Sequence, residues 1–99
     1  MKALDIIIEA CQDYEIDEYS KTGMRPFFTI QITPGALHVL MREVTLEMLA
    51  TGLFNHNTQQ IAGRNFEVCQ LPYGLDFRLI KALGRNYRFK EHLSYEEKA

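Results

Sequence analysis

Serine and cysteine are scarce in this chain, and their scarcity removes whole classes of chemistry. Ser20 and Ser94 are the only two serines, both in stretches of loop-like composition, whereas a nucleophile needs a rigid mount beside an oriented base. No G-x-S-x-G occurs, so a serine hydrolase is not indicated. Two cysteines, Cys11 and Cys69, cannot staple a fold as disulfide-dense secreted scaffolds are stapled. Both read as buried free thiols acting as small apolar side chains. CxxC, HxxxH and HExxH are all absent, and Cys11, His38, His56, Cys69 and His92 lie far apart, so no metal centre is expected. Neither G-x-G-x-x-G nor G-x-x-x-x-G-K is present, and no cofactor is expected. Long apolar runs are missing too. Ile6-Ile7-Ile8 is closed by Glu9, far short of the ~18–20 residues of a membrane helix. Lys2 and Asp5 interrupt any signal-like apolar region, so a cytoplasmic setting without a membrane partner is expected.

What remains has the make-up of an ordinary globular domain: 99 residues, 46% hydrophobic and 24% charged. Residues 1–93 read as one domain and residues 94–99 as a charged, frayed tail. The net charge of −2 demands no polyanionic partner.

Periodicity supplies the elements. In residues 2–12, Leu4, Ile7, Ile8 and Cys11 follow helical spacing. Asp13 to Tyr19 is acidic and spiked with aromatics, and residues 20–23 read as a loop. Phe28, Ile30 and Ile32 alternate with Thr29, Gln31 and Thr33, the pattern of a half-buried strand. Thr33-Pro34-Gly35-Ala36 admits either a hairpin turn or a helix start. Thr33 as N-cap, Pro34 at the first helical position and the stripe Leu37, Leu40, Met41, Val44 and Met48 favour a helix over 34–51, closed by Gly52. Residues 58–62 and 66–71 suggest a hairpin around Gly63. Leu75, Leu79, Ile80 and Leu83 suggest a further helix at 74–83, and residues 86–92 a last strand.

From residue 27 the expected order is therefore β-α-β-β-α-β behind an extra N-terminal helix. That order predicts an α+β fold of ferredoxin-like, split βαβ arrangement: a small antiparallel sheet with two helices packed on one face.

Charge is unevenly spread. Residues 1–23 set Lys2 and Lys21 against Asp5, Glu9, Asp13, Glu15, Asp17 and Glu18, a balance of −4. Residues 64–90 carry six cations against Glu67 and Asp76, a balance of +4. Opposite ends of opposite sign suit pairing between copies, or with another protein, and steer association more than they tighten it. The favoured reading is a small non-catalytic interaction module, binding another protein or itself as a homodimer, with Asp13, Glu15, Asp17 and Glu18 as candidate partner-binding residues. An alternative is nucleic-acid binding by Arg85, Tyr87, Arg88, Phe89 and Lys90, where cations interleave with rings that could stack bases; Tyr87 and Phe89 as core is the reading set against it. A second alternative is a small enzyme or ligand-binding domain, with Cys69 near His38 or His56 in a cleft.

Overall fold

The computed structural model describes residues 2–80 and 85–89. The first helix, α1, spans Ala3–Thr22. Its buried stripe is Ala3, Leu4, Ile6, Ile7, Ala10, Cys11 and Tyr14, spaced as a face that turns 100° per residue requires. Lys2 brings no side-chain cap to its start. The carboxylate of Glu43 does so from a distance, accepting the backbone N–H of Ala3 at 3.0 Å and of Leu4 at 3.1 Å. Two donors that a helix start leaves without intrahelical partners are thereby satisfied. Gly23, left-handed at φ 70°, ends the helix by donating its N–H to the Tyr19 carbonyl at 2.8 Å.

The expected end near residue 12 is corrected. The apolar stripe stops at Tyr14 while the backbone coils on through the acidic stretch. Once a helix is nucleated, each added residue contributes a hydrogen bond at little cost. The Lys21–Asp17 pair at 3.2 Å also supports the last turns.

Strand β1 (Thr29–Ile32) follows, with Ile30 and Ile32 fully buried. Thr33 then caps helix α2 (Pro34–Glu43), its Oγ1 accepting from the Ala36 N–H at 3.1 Å, with Pro34 at the first helical position. The helix reading of this segment stands over the hairpin, but its length is corrected. Val44 turns extended, and Thr45 caps a new short helix, α3 (Leu46–Thr51), through Oγ1 and the Met48 N–H at 3.2 Å. A second capping threonine divides what the apolar spacing joins.

The remaining strands are β2 (Phe54–Asn55), β3 (Gln60–Ile61), β4 (Arg64–Val68), β5 (Phe77–Ile80) and β6 (Arg85–Tyr87). Among the described residues the strands form one six-stranded sheet in the order β2-β3-β4-β1-β5-β6. β1 runs parallel to β4, with Ile30 opposite Phe66, and all the other neighbours are antiparallel. The sheet is therefore mixed, where a purely antiparallel one was expected. The helices α2 and α3 lie within the long connection that a parallel pair requires.

The helix expected at 74–83 is corrected as well. Phe77 and Leu79 are buried and pair along β1, while Arg78 and Ile80 turn to the other face. A short apolar run fits period 2 as well as period 3.6. A turn at Tyr73 and Gly74, both with positive φ, feeds the strand. With a strand there, the β-α-β-β-α-β order does not hold among the described residues. The last expected strand, 86–92, appears as β6, beyond which Phe89 has left the ladder. Positions 81–84 and 90–99, including Lys90 and the tail, lie outside the described residues.

The α+β class holds. Ile30, Ile32, Phe66, Phe77 and Leu79 on one sheet face share a core with the stripe of α1 and with Ala36 and Leu40 of α2. Across the opposite face a polar ladder runs over three strands. Arg78 donates to Gln31 Oε1 at 2.6 and 3.0 Å, and Gln31 Nε2 donates to Glu67 at 2.6 Å. Among the described residues no helix is long and apolar enough to cross a membrane.

Candidate functional site

After Tyr14 no residue of α1 is buried, so residues 15–22, about 12 Å of helix, run on past the core. The overhang and the loop beyond it display large apolar side chains. Ile16 is 69% exposed, Tyr19 61%, Met24 71% and Phe27 92%. The loop is pinned beside them: Pro26 is buried, and the ring of Phe28 meets Tyr14 edge-on at 4.9 Å.

Between this end of the molecule and the β3–β4 turn lies a cleft of about 450 Å³, walled by Glu15, Arg25, Phe27, Phe28, Arg64 and Asn65 among others. Glu15 and Arg64 form a two-pronged pair across it, Nε to Oε2 at 3.2 Å and the terminal nitrogen to Oε1 at 2.5 Å. Their side chains are only 14% and 13% exposed. Arg64 also donates to the Ala62 carbonyl at 3.1 Å. Arg25 approaches the same Glu15 carboxylate at 3.4 Å from the solvent side.

Burial alone would raise the Glu15 carboxyl. The hydrogen bonds and charge of Arg64, joined by Arg25, outweigh it and hold the group below its ordinary value. The hydrogen bond to Glu15 in turn raises Arg64 against the opposing effect of burial. Below the pair, burial pushes the Cys11 thiol up to about 12, with Arg64 pulling it down and Glu15 pushing it further up. A thiol so placed carries almost no thiolate at neutral pH and is a poor nucleophile. Two guanidiniums face one carboxylate, so the cleft has one positive charge in surplus.

The four acidic candidates do not converge. Two residues of helix amount to about 200° of rotation, which places Asp13, exposed, on the side opposite Glu15. Asp17 is engaged by Lys21, and Glu18 is half-buried. Only Glu15 lines the cleft.

In the basic-aromatic segment, Tyr87 stacks on Phe77 with ring centroids 4.6 Å apart and planes 4° from parallel. Phe89 is buried with its ring 5.6 Å from the same phenyl. Arg88 donates to the Tyr73 carbonyl at 3.0 and 3.2 Å. Arg85 opens β6, and Lys90 lies outside the described residues.

Cys69 is half-buried just after β4, His38 is exposed on α2, and His56 is exposed in the β2–β3 turn, its ring 6.5 Å from that of Phe54. No hydrogen bond or ring contact among the described residues joins Cys69 to either histidine. Among those residues, too, no group of three or more His, Cys, Asp or Glu could hold a metal ion.

Reading the sequence missed Arg25, Phe27 and Arg64. Phe27 adjoins the alternating run of the strand but lies outside β1 and is exposed. Arg64 stands 49 residues from Glu15, and nothing in the local pattern announces that pairing. No protein-family model matches the chain, and neither a curated protein nor a solved structure matches it.

Proposed function

We propose that this chain is a non-catalytic interaction module that binds another protein, or a second copy of itself, through the overhanging end of α1 and the loop that follows. One observation carries the reading: Ile16, Tyr19, Met24 and Phe27 are all exposed within a twelve-residue stretch. Large apolar side chains gathered on a surface mark contact sites, because covering them returns the hydrophobic free energy that exposure withholds. Aromatic anchors at the centre and charged groups at the rim are the usual make-up of such a site. Here Phe27 and Tyr19 supply the anchors, and Arg25 a charged group at the rim.

Nucleic-acid binding through Arg85, Tyr87, Arg88, Phe89 and Lys90 ranks below this reading. A base stacking on Phe89 would first have to draw that ring out of the core. A thiol enzyme ranks lower still. Thiol labelling of the native protein tests it directly: Cys11 is expected to react only after denaturation, and a fast-reacting Cys69 would revive the idea.

The test of the proposal compares the wild type with an Ile16→Asp/Phe27→Asp double variant whose circular dichroism is unchanged. Light scattering over a concentration series reads self-association, and capture from an extract of the source cells reads a partner. The expected result is a self-complex, or a captured protein, that the double variant loses. A strict monomer that captures nothing sinks the proposal, as does binding indifferent to both substitutions.

A further inference from the structure

We infer that the cleft beside α1 is a carboxylate-binding subsite, which recognises an acidic group carried next to an apolar side chain on a partner polypeptide. The inference rests on reading this end of the molecule as a binding surface, and adds what that surface selects.

Arg64 is not the recognising cation, because each of its nitrogens already donates to Glu15 or to a backbone carbonyl and its side chain is only 13% exposed. Arg25 is. Its one hydrogen bond among the described residues, to Glu15 at 3.4 Å, is long, and its side chain is 77% exposed. Most of the five guanidinium donors are therefore uncommitted. A second donor lines the same cleft. Asn65 has its side-chain oxygen occupied by Gln60 at 3.2 Å, which leaves its N–H₂ group to donate. Phe27, almost wholly exposed, and Phe28 add apolar surface to the lining.

Charge decides the class of anion. Glu15 cancels one of the two guanidiniums, so the cleft has a single positive charge to offer. A monoanionic carboxylate matches it, whereas the second charge of a phosphate would face Glu15 at close range. The volume of about 450 Å³ suits one side chain and its carboxylate rather than a folded surface. A carboxylate of this kind occurs either at a chain terminus or on an acidic side chain, and the probes separate the two.

The experiment is a titration of isotope-labelled protein followed by nuclear magnetic resonance at the Gly63 backbone amide and the Asn65 side-chain amide. One pair of probes is Gly-Gly-Phe as free acid and as C-terminal amide; the other is acetyl-Phe-Glu-amide and acetyl-Phe-Gln-amide. At least one acid is expected to bind saturably and about tenfold more tightly than its neutral partner, the usual worth of one charge-assisted hydrogen bond. Binding of the first acid alone assigns the site to a chain terminus, and binding of the second to an acidic side chain. Arg25→Gln, at an exposed position, is expected to remove that preference. Three results overturn the inference: no saturable shift from either acid, equal affinity for acid and amide, or an Arg25→Gln variant that binds as the wild type does. If the acids fail while the Ile16→Asp/Phe27→Asp variant still loses its partner, the interaction module stands and the carboxylate subsite falls.

Discussion

The two halves of α1 are helical for different reasons. From Ala3 to Tyr14 seven residues are buried, Cys11 completely, and the start is capped by Glu43 from another helix. Among residues 15–22 none is fully buried, and Glu15 is tied to the sheet through Arg64. They are held by local devices: the Lys21–Asp17 pair, the hydroxyls of Ser20 and Thr22 bonded back to the Asp17 and Glu18 carbonyls, and Gly23 at the end. The first half is helix because the sheet needs its apolar stripe, the second because nothing stops it. An extension that folding does not require, carrying Ile16 and Tyr19 into solvent, is where a function is to be sought.

That contrast breaks most readily at its docked side. Ile7 is fully buried against the sheet, and Ile7→Ala is expected to destabilise the fold by about 2–5 kcal/mol, through lost transfer energy and the cavity left behind. Urea denaturation followed by circular dichroism measures it. A loss below about 1 kcal/mol would mean that the first half is no better packed than the second.

Next in size is the joint between the halves. Glu15 and Arg64 are mostly buried, so Arg64→Ala is expected to cost about 2 kcal/mol at neutral pH, between the small value of a surface pair and the larger one of a fully buried pair. The cost should depend on pH. The folded Glu15 carboxyl titrates below its ordinary value of 4.5, so the pair's contribution is complete above that value. It is lost as the pH falls through the lower, folded pKa. Urea midpoints of wild type and variant should therefore converge on acidification below about pH 4. A gap that stays constant would show that Arg64 acts through packing alone.

Where the sequence could be read, and where it could not, follows the same division between local and distant causes. The Thr33 cap, Pro34 at the helix start, the Gly52 stop and the alternation of Ile30 and Ile32 are all visible within a few residues, because the chemistry that causes them is local. The break at Val44 and Thr45 was also local, but the apolar stripe from Leu37 to Met48 masked it. The segment holding Leu75, Leu79 and Ile80 was ambiguous in period, and only pairing with β1 made it a strand. The parallel match of Ile30 with Phe66, and of Glu15 with Arg64, joins residues dozens of positions apart, which no window of sequence contains. For that reason the acidic segment was singled out while the cleft it helps to build was not.

A smaller effect tests another long-range joint. Glu43 caps the docked half from 40 residues along the chain. Glu43→Ala is expected to cost about 1 kcal/mol, the ordinary worth of a helix cap. Glu43→Gln, which keeps an acceptor oxygen, should recover part of it. The same denaturation series checks both, and an unchanged midpoint in the alanine variant would make the cap ornamental.

The smallest expected effect is the most telling. Ile16 is 69% exposed, so Ile16→Ala removes little packing. It exchanges a β-branched residue for the best helix former, and the expected change is a gain of a few tenths of a kcal/mol. Selection for stability alone would favour that exchange, which is the reason to attribute the isoleucine to binding. If Ile16→Ala instead costs more than about 1 kcal/mol, the overhang is docked in solution after all. Its apolar side chains then belong to the fold, and the contrast between the two halves of α1 disappears.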